Sequence, residues 1–212
     1  MGRVYEVTGS GSAEAIAAAE QSLRTGGIIV FPTETIYGIG TDICNSAAVR
    51  RLFALKQRGV QFPLMAHCSD ESQVAGLVVG IPPAARLLMK RFWPGPLALV
   101  FRADKSVPTE VTAGTGTIGV RMVAHAVGRR LITEFGRAIA GTSANISGER
   151  ATSRFADVSP VLLDGADVAL DAGVCGTDVA STVLDLTVDP PRLVRPGAVP
   201  VAAIEAELGF TL

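Results

Sequence analysis

Apolar residues spaced three and four apart alternate with short apolar runs from end to end of the chain, the pattern of helices interleaved with buried strands. Ser12 can cap a helix in which Ile16, Ala19 and Leu23 share a face, with Glu14 in its first turn and Gly26-Gly27 as its stop. The run from Gly27 to Phe31 then reads as a buried strand. Asn45 or Ser46 opens a second helix whose inner stripe is Val49, Leu52 and Phe53, and Lys56 falls at its carboxyl end. Further strands are expected at Pro63 to Cys68, Leu97 to Arg102, Thr117 to Val123, Ala138 to Thr142, Val168 to Asp171, Ser181 to Leu186 and Leu193 to Arg195. Pro83 suits the first turn of a helix through Phe92, a tight Trp93-Pro-Gly-Pro96 turn follows, and helices are expected near 126–135 and 200–208. The connection from Phe101 to Thr117 has no helical pattern, which favours a mixed sheet over strict βαβ alternation. With no repeat, charge block or Ser/Gly linker, residues 1–212 read as a single α/β domain: a mostly mixed sheet with flanking helices.

Composition narrows the function classes. Hydrophobic residues make up 48% of the chain, but only 8 Phe, 2 Tyr and 1 Trp are among them, so the core is built from Ala, Val, Leu and Ile. Charged residues, at 18%, are too few for a disordered chain. The 19 Lys and Arg are matched by 20 Asp and Glu, giving a net charge of −1, so no global basic field draws in nucleic acid or an acidic membrane. Any anion site must be local. Cys44, Cys68 and Cys175 are odd in number and form no CxxC pair, which suits a reducing compartment and makes a cytoplasmic location the expectation. The amino terminus lacks a signal-peptide pattern, and Pro82, Pro83 and Arg86 break the longest apolar stretch well short of the ~20 residues a membrane helix needs.

Five segments carry candidate chemistry. Phe31-Pro-Thr-Glu-Thr-Ile-Tyr-Gly-Ile-Gly40 places three hydroxyls and a carboxylate in a loop after a strand, either a ligand loop or a hydrogen-bonded turn capped by Tyr37. It is neither a Walker loop nor a dinucleotide fingerprint. Lys56-Gln-Arg58 sets two cations where a helix ends, either to complement the helix dipole or to neutralise phosphate. Gly141-Thr-Ser-Ala-Asn-Ile-Ser-Gly148 is either a polar loop that donates hydrogen bonds to a nucleotide or a serine-rich turn that satisfies its own backbone. Asn145 stands where a nucleophile elbow needs glycine. Arg121 sits inside the apolar strand Thr117-Ile-Gly-Val-Arg-Met-Val123, so its charge must reach a solvated end or pair with an anion, and Arg195 in Leu193-Val-Arg-Pro-Gly197 poses the same question. His67 ends an apolar strand, where a satisfied half-buried histidine is the plain alternative to a ligand contact. His67, His125 and the cysteines lack the i, i+3 or i, i+4 spacing of zinc ligands, and no metal site is expected.

Taken in order, FPTETIYGIGTD, FALKQR, PLMAH, FWPGPLALVF, TIGVRM, TSANISG, ASTVLDL and VRPGA resemble the YrdC-type L-threonylcarbamoyladenylate synthases from about residue 10 to 200. The resemblance implies a twisted α/β sheet with a large concave face and an enzyme of the nucleotidyltransferase class. Its substrates would be L-threonine, bicarbonate and ATP with Mg2+, joined into threonylcarbamoyl-AMP with release of pyrophosphate. The product would modify the adenosine next to the anticodon of tRNA, through a downstream threonylcarbamoyl-transferase complex. By motif match Lys56, Arg58, Ser143 and Asn145 are the catalytic set. Those four together with Thr117 and Arg195 would hold ATP, and Thr33, His67, Arg121 and Ser181 would hold threonine. Lys56 and Arg58 are expected to be exposed in the site.

The chain departs from the family pattern in three places. Phe62 replaces an asparagine, Gly59 a frequent proline, and Arg150-Ala151 a Pro-Ser pair; Arg150 could replace the lost hydroxyl contact electrostatically. The Phe-Pro-Leu-Met run leans toward the YciO-like paralogues, which tend to lose the four signature residues present here. A non-catalytic module binding tRNA or double-stranded RNA on the same fold, and a carbamoyl-transfer enzyme with another acceptor, are the alternatives.

Overall fold

A computed structural model describes residues 2–212. The strands are β1 (Arg3–Glu6), β2 (Ile29–Phe31), β3 (Gly38–Asp42), β4 (Met65–Cys68) and β5 (Leu97–Arg102), followed by β6 (Thr117–Met122), β7 (Ile139–Ser143), β8 (Val168–Asp171), β9 (Thr182–Asp185) and β10 (Arg192–Arg195). The described residues place them in one ten-stranded sheet, ordered β1-β8-β2-β3-β7-β4-β6-β5-β9-β10. Four neighbouring pairs, β1/β8, β2/β8, β4/β6 and β5/β9, run parallel and the others antiparallel, so the sheet is mixed as the connections foretold.

Local chemistry sets the main helices. In α1 (Ala13–Arg24) the Ser12 hydroxyl accepts the Ala15 amide at 3.1 Å, and in α2 (Ser46–Leu55) the Asn45 side chain accepts the Ala48 amide at 3.0 Å. Pro83 opens α4 (Pro83–Phe92). Helices α6 (Ala126–Phe135) and α8 (Val201–Leu208) lie where expected. Three short helices, α3 (Glu71–Ala75), α5 (Thr109–Thr112) and α7 (Pro160–Gly165), have no signal in the apolar period because one or two turns cannot show one. Among the described residues no helix is long and apolar enough to cross a membrane.

The two-residue period of the strands divides the core. Ile28 and Val30, Ala138 and Ala140, and Ala169 face a large cluster with the inner residues of α2, α4 and α8. Ile29 and Phe31, Ile139, and Val168 and Leu170 face a second cluster with α1 and α6. This half of the sheet is therefore covered on both sides. In the other half, Ala66 and Cys68, Ile118 and Val120, and Leu97 and Leu99 join the large cluster, while the alternating positions Met65, His67 and Arg121 belong to neither. On that side the strands present polar and charged groups, His67 and Arg121 among them, and both are buried.

Two strands went unread. Strand β1 is polar and lies at the sheet edge, where little burial is needed. Strand β3 contains Gly38 and Gly40 and looks like loop sequence, yet it is wholly buried between β2 and β7. A Cβ on Gly40 would sit 2.8 Å from the Ala140 carbonyl oxygen, so the glycine allows close strand approach rather than a turn.

Candidate active site

The side of the sheet that carries His67 and Arg121 borders a cavity of about 390 Å³. Thr33, Arg58, His67, Arg121, Ser143, Asn145, Ser181 and Arg195 all line it, although they come from widely separated parts of the sequence. The sheet register makes the meeting possible: His67 on β4 pairs with Arg121 on β6, and Gly38 on β3 pairs with Ser143 on β7.

Arg121 defines the inner end. It is 3% exposed, and one guanidinium nitrogen, Nη1, donates to Thr35 Oγ1 at 2.9 Å and to Ser181 Oγ. Thr33 Oγ1 donates its single proton to the Ile36 carbonyl at 2.6 Å, so the 3.0 Å contact between the two threonine hydroxyls is a donation from Thr35 to Thr33. Thr35 can then only accept from Arg121, and the loop fixes the direction of the whole chain of bonds. Tyr37 anchors the same loop from behind: its Oη donates to the Gly173 carbonyl at 3.2 Å and accepts the Ala172 amide at 2.9 Å. The turn capped by Tyr37 is present, and the same segment supplies Thr33 and Thr35 to the cavity wall.

His67 is fully buried, and burial followed by the nearby Arg121 charge pulls its pKa down to about 3, so the ring is neutral at physiological pH. Its Nδ1 has no hydrogen-bond partner within the protein, and the ring borders the cavity. Arg195 lies on the exposed edge strand β10 and forks the Ser181 carbonyl with Nε and Nη2 at 3.2 and 2.9 Å. Its charge reaches solvent, whereas that of Arg121 does not.

At the outer end the structure corrects the expectation for Lys56. The side chain is 1% exposed and does not line the cavity. Its Nζ donates to the Ser143 and Asn145 carbonyls, while its own carbonyl accepts from Ser147 N at 3.3 Å and Ser147 Oγ at 3.1 Å. Lys56 thus sits behind the 143–147 loop and clamps it, because the helix ends beneath that loop and the long side chain finds two inward carbonyls. Burial, then repulsion from Arg58, lowers its pKa to about 8, against a raising contribution from Glu149.

Arg58 does face the cavity. Its Nη2 donates to the Pro63 carbonyl at 3.1 Å, and the guanidinium lies 5.5 Å from the centre of the Phe62 ring. Phe62 therefore supports Arg58 where the resemblance led us to expect an amide. Thr117 is a second correction. It opens β6, but its hydroxyl pairs with Thr115 at 2.9 Å and it is not part of the cavity wall. Arg150 is highly exposed, lies 3.7 Å from Asp178 and does not line the cavity, whereas Ala151 does. Thr35, Met65 and Glu149 line the cavity and were not singled out, and Tyr37, read only as a cap, lines it as well. Thr35 could have been found, since it is a second hydroxyl of the same loop, two residues from Thr33, and the two hydroxyls lie 3.0 Å apart.

A model of the Sua5, YciO and YrdC family, described as telomere recombination, matches residues 21–197. The chain belongs to this family. Among its curated relatives is the threonylcarbamoyl-AMP synthase of Pyrococcus abyssi, 40% identical over 194 residues that make up 92% of this chain and 57% of the relative. A putative threonylcarbamoyl-AMP synthase of Mycobacterium leprae is 39% identical over 93% of this chain and 89% of its own length. The crystal structure of Pyrococcus abyssi Sua5 complexed with L-threonine superposes with a TM-score of 0.95 at 38% identity, covering 98% of this chain and 61% of that one. The chain thus spans less than two thirds of the length of its Pyrococcus relative. In this member of the Sua5, YciO and YrdC family, Arg58, Ser143 and Asn145 stand on the cavity wall and Lys56 lies behind them, bonded to the Ser143 and Asn145 carbonyls.

Proposed function

We propose that the chain is an L-threonylcarbamoyladenylate synthase, a nucleotidyltransferase that forms threonylcarbamoyl-AMP and pyrophosphate from L-threonine, bicarbonate and ATP. The observation that carries this reading is the joining of two cationic ends in one cavity: a deeply buried Arg121 inside, and Arg58 with the 143–147 loop outside. Threonine carboxylated on its amine becomes a carbamate whose oxygen attacks the α-phosphate of ATP, and pyrophosphate leaves. Several negative charges must gather before any bond forms, so fixed cations and oriented donors are the chemistry required. Arg121 would take the threonine carboxylate, with Thr33, His67 and Ser181 around it, and Arg58, Ser143, Asn145 and Arg195 would hold the nucleotide. Thr117 remains a candidate only for the outermost part of ATP, and Lys56 acts by holding the loop. No covalent enzyme intermediate is required.

Mg2+ would travel with the triphosphate, held mainly by phosphate oxygens and water as that ion prefers, since Glu149 is the sole acidic residue on the cavity wall. The whole chain, residues 1–212, is read as one domain acting in the cytoplasm. Its product would pass to a transferase complex for attachment to the adenosine next to the anticodon of tRNA. Direct contact with tRNA or double-stranded RNA forms no part of this reading. Presence of all four signature residues in one unit favours the synthase over a YciO-like paralogue. Incubation with labelled L-threonine, bicarbonate and ATP tests the proposal. Threonylcarbamoyl-AMP and pyrophosphate that appear only when all three are present support it; ATP left intact overturns it. Arg58→Ala should cut turnover at least tenfold while the fold, read by circular dichroism, is kept.

A further inference from the structure

Glu34 is the one charged residue of the loop between β2 and β3, and it does not line the cavity. Its side chain is largely buried. Oε2 accepts the Ala124 amide at 3.0 Å, which ties the loop to the turn before α6. Oε1 lies 3.5 Å from Arg121 Nη1 and has no hydrogen-bond partner, and Arg121 Nε is likewise unpartnered. A guanidinium this deeply buried loses its hydration, and the nearby Arg195 charge adds repulsion; Glu34 is the opposing charge that favours its ionised form. Such a pair, in ionic contact without a hydrogen bond, is one that a better aligned carboxylate can displace.

We infer that Glu34 is a positioning residue, the resident counter-ion that holds Arg121 against Thr35 and Ser181 until the carboxylate of an amino acid enters and takes over the guanidinium. This rests on the reading of Arg121 as the threonine carboxylate site. Glu34 acts through Arg121 and not by touching substrate. Its charge therefore has opposite consequences in the two states. Without ligand it offsets the cost of a buried cation, and in the presence of ligand it repels the incoming carboxylate.

Glu34→Gln separates this role from a structural one, because glutamine keeps an oxygen to accept the Ala124 amide while the charge is lost. L-threonine binding is measured by calorimetry and the melting midpoint by scanning, with L-threoninol, which lacks the carboxylate, as the control ligand. The expected result is a lower midpoint without ligand, about threefold to tenfold tighter binding of L-threonine, and no tightening for threoninol. Unchanged or weaker threonine binding overturns the inference, as does equal tightening for both ligands. Should Glu34→Gln fail to fold, Glu34→Asp, which withdraws the charge by one methylene, is expected to shift threonine affinity in the same direction by a smaller factor. Failure of the wild-type protein itself to bind L-threonine would instead sink the assignment of Arg121, and with it the proposed function.

Discussion

The ammonium of Lys56 and the carbonyl of the same residue grip the 143–147 loop from two sides, joining the end of α2 to the segment after β7. An acceptor left unpaired in such a place costs about 1–3 kcal/mol. Holding a charge there is itself costly, which is why the pKa stands near 8 when folded against 10.5 for the free side chain. Between those values the unfolded chain keeps the proton that the folded chain has released, so this residue makes stability rise with pH across that window. Below about pH 8 both states are protonated and the cost is constant. Tyr37, Cys68 and Cys175, whose pKa values burial raises, act in the opposite direction, so the comparison must be with a variant. In urea titrations the stability of the wild type relative to Lys56→Met should be flat below pH 8 and climb by up to roughly 3 kcal/mol by pH 10.5. A flat difference throughout would show that the ammonium is not buried as described. Lys56→Met should also lower kcat more than it raises the KM of any of the three substrates, since the loop it releases carries Ser143 and Asn145.

Strand β3 shows at the element scale what sequence patterning can and cannot reveal. Its glycines read as loop because a strand normally advertises itself through side chains, yet here backbone contact replaces them: a Cβ on Gly40 would lie 2.6 Å from Ile139 Cγ2. Gly40→Ala should therefore destabilise the protein by about 1–3 kcal/mol through overpacking, read as a lower urea midpoint with an unchanged slope. The helices with side-chain caps and the apolar strands were legible because their signals are local. Arg121 and His67 were legible too, each as a polar residue in an apolar strand, although only the β4/β6 register shows that they are neighbours. Lys56 was misjudged because the sequence places it at a helix end, where a cation is ordinarily solvated, and does not reveal the loop that folds over it. The pairing of Glu34 with Arg121 spans 87 positions, and no local pattern carries it.

At the scale of the whole molecule, a near-neutral chain has become locally cationic through sheet architecture. Helices α1 and α6 cover one side of half of the sheet and leave the same side of the other half open, so Arg58, Arg121 and Arg195 converge there while the net charge stays at −1. The two ends of the cavity hang on different elements, Arg58 on the segment after α2 and Arg121 on β6, and this separation is testable. A ligand at a hundred times its dissociation constant stabilises the folded state by about 2.7 kcal/mol, which for a chain of this size raises the melting midpoint by roughly 5–10 °C. Saturating ATP and saturating L-threonine should each produce a rise of that order in the wild type. Arg58→Ala should lose most of the rise from ATP and keep the rise from threonine, and Arg121→Ala should do the reverse. If either substitution removed both rises, the ends would be one coupled site, and independent support of the cavity by α2 and β6 would be the wrong description of how this fold builds it.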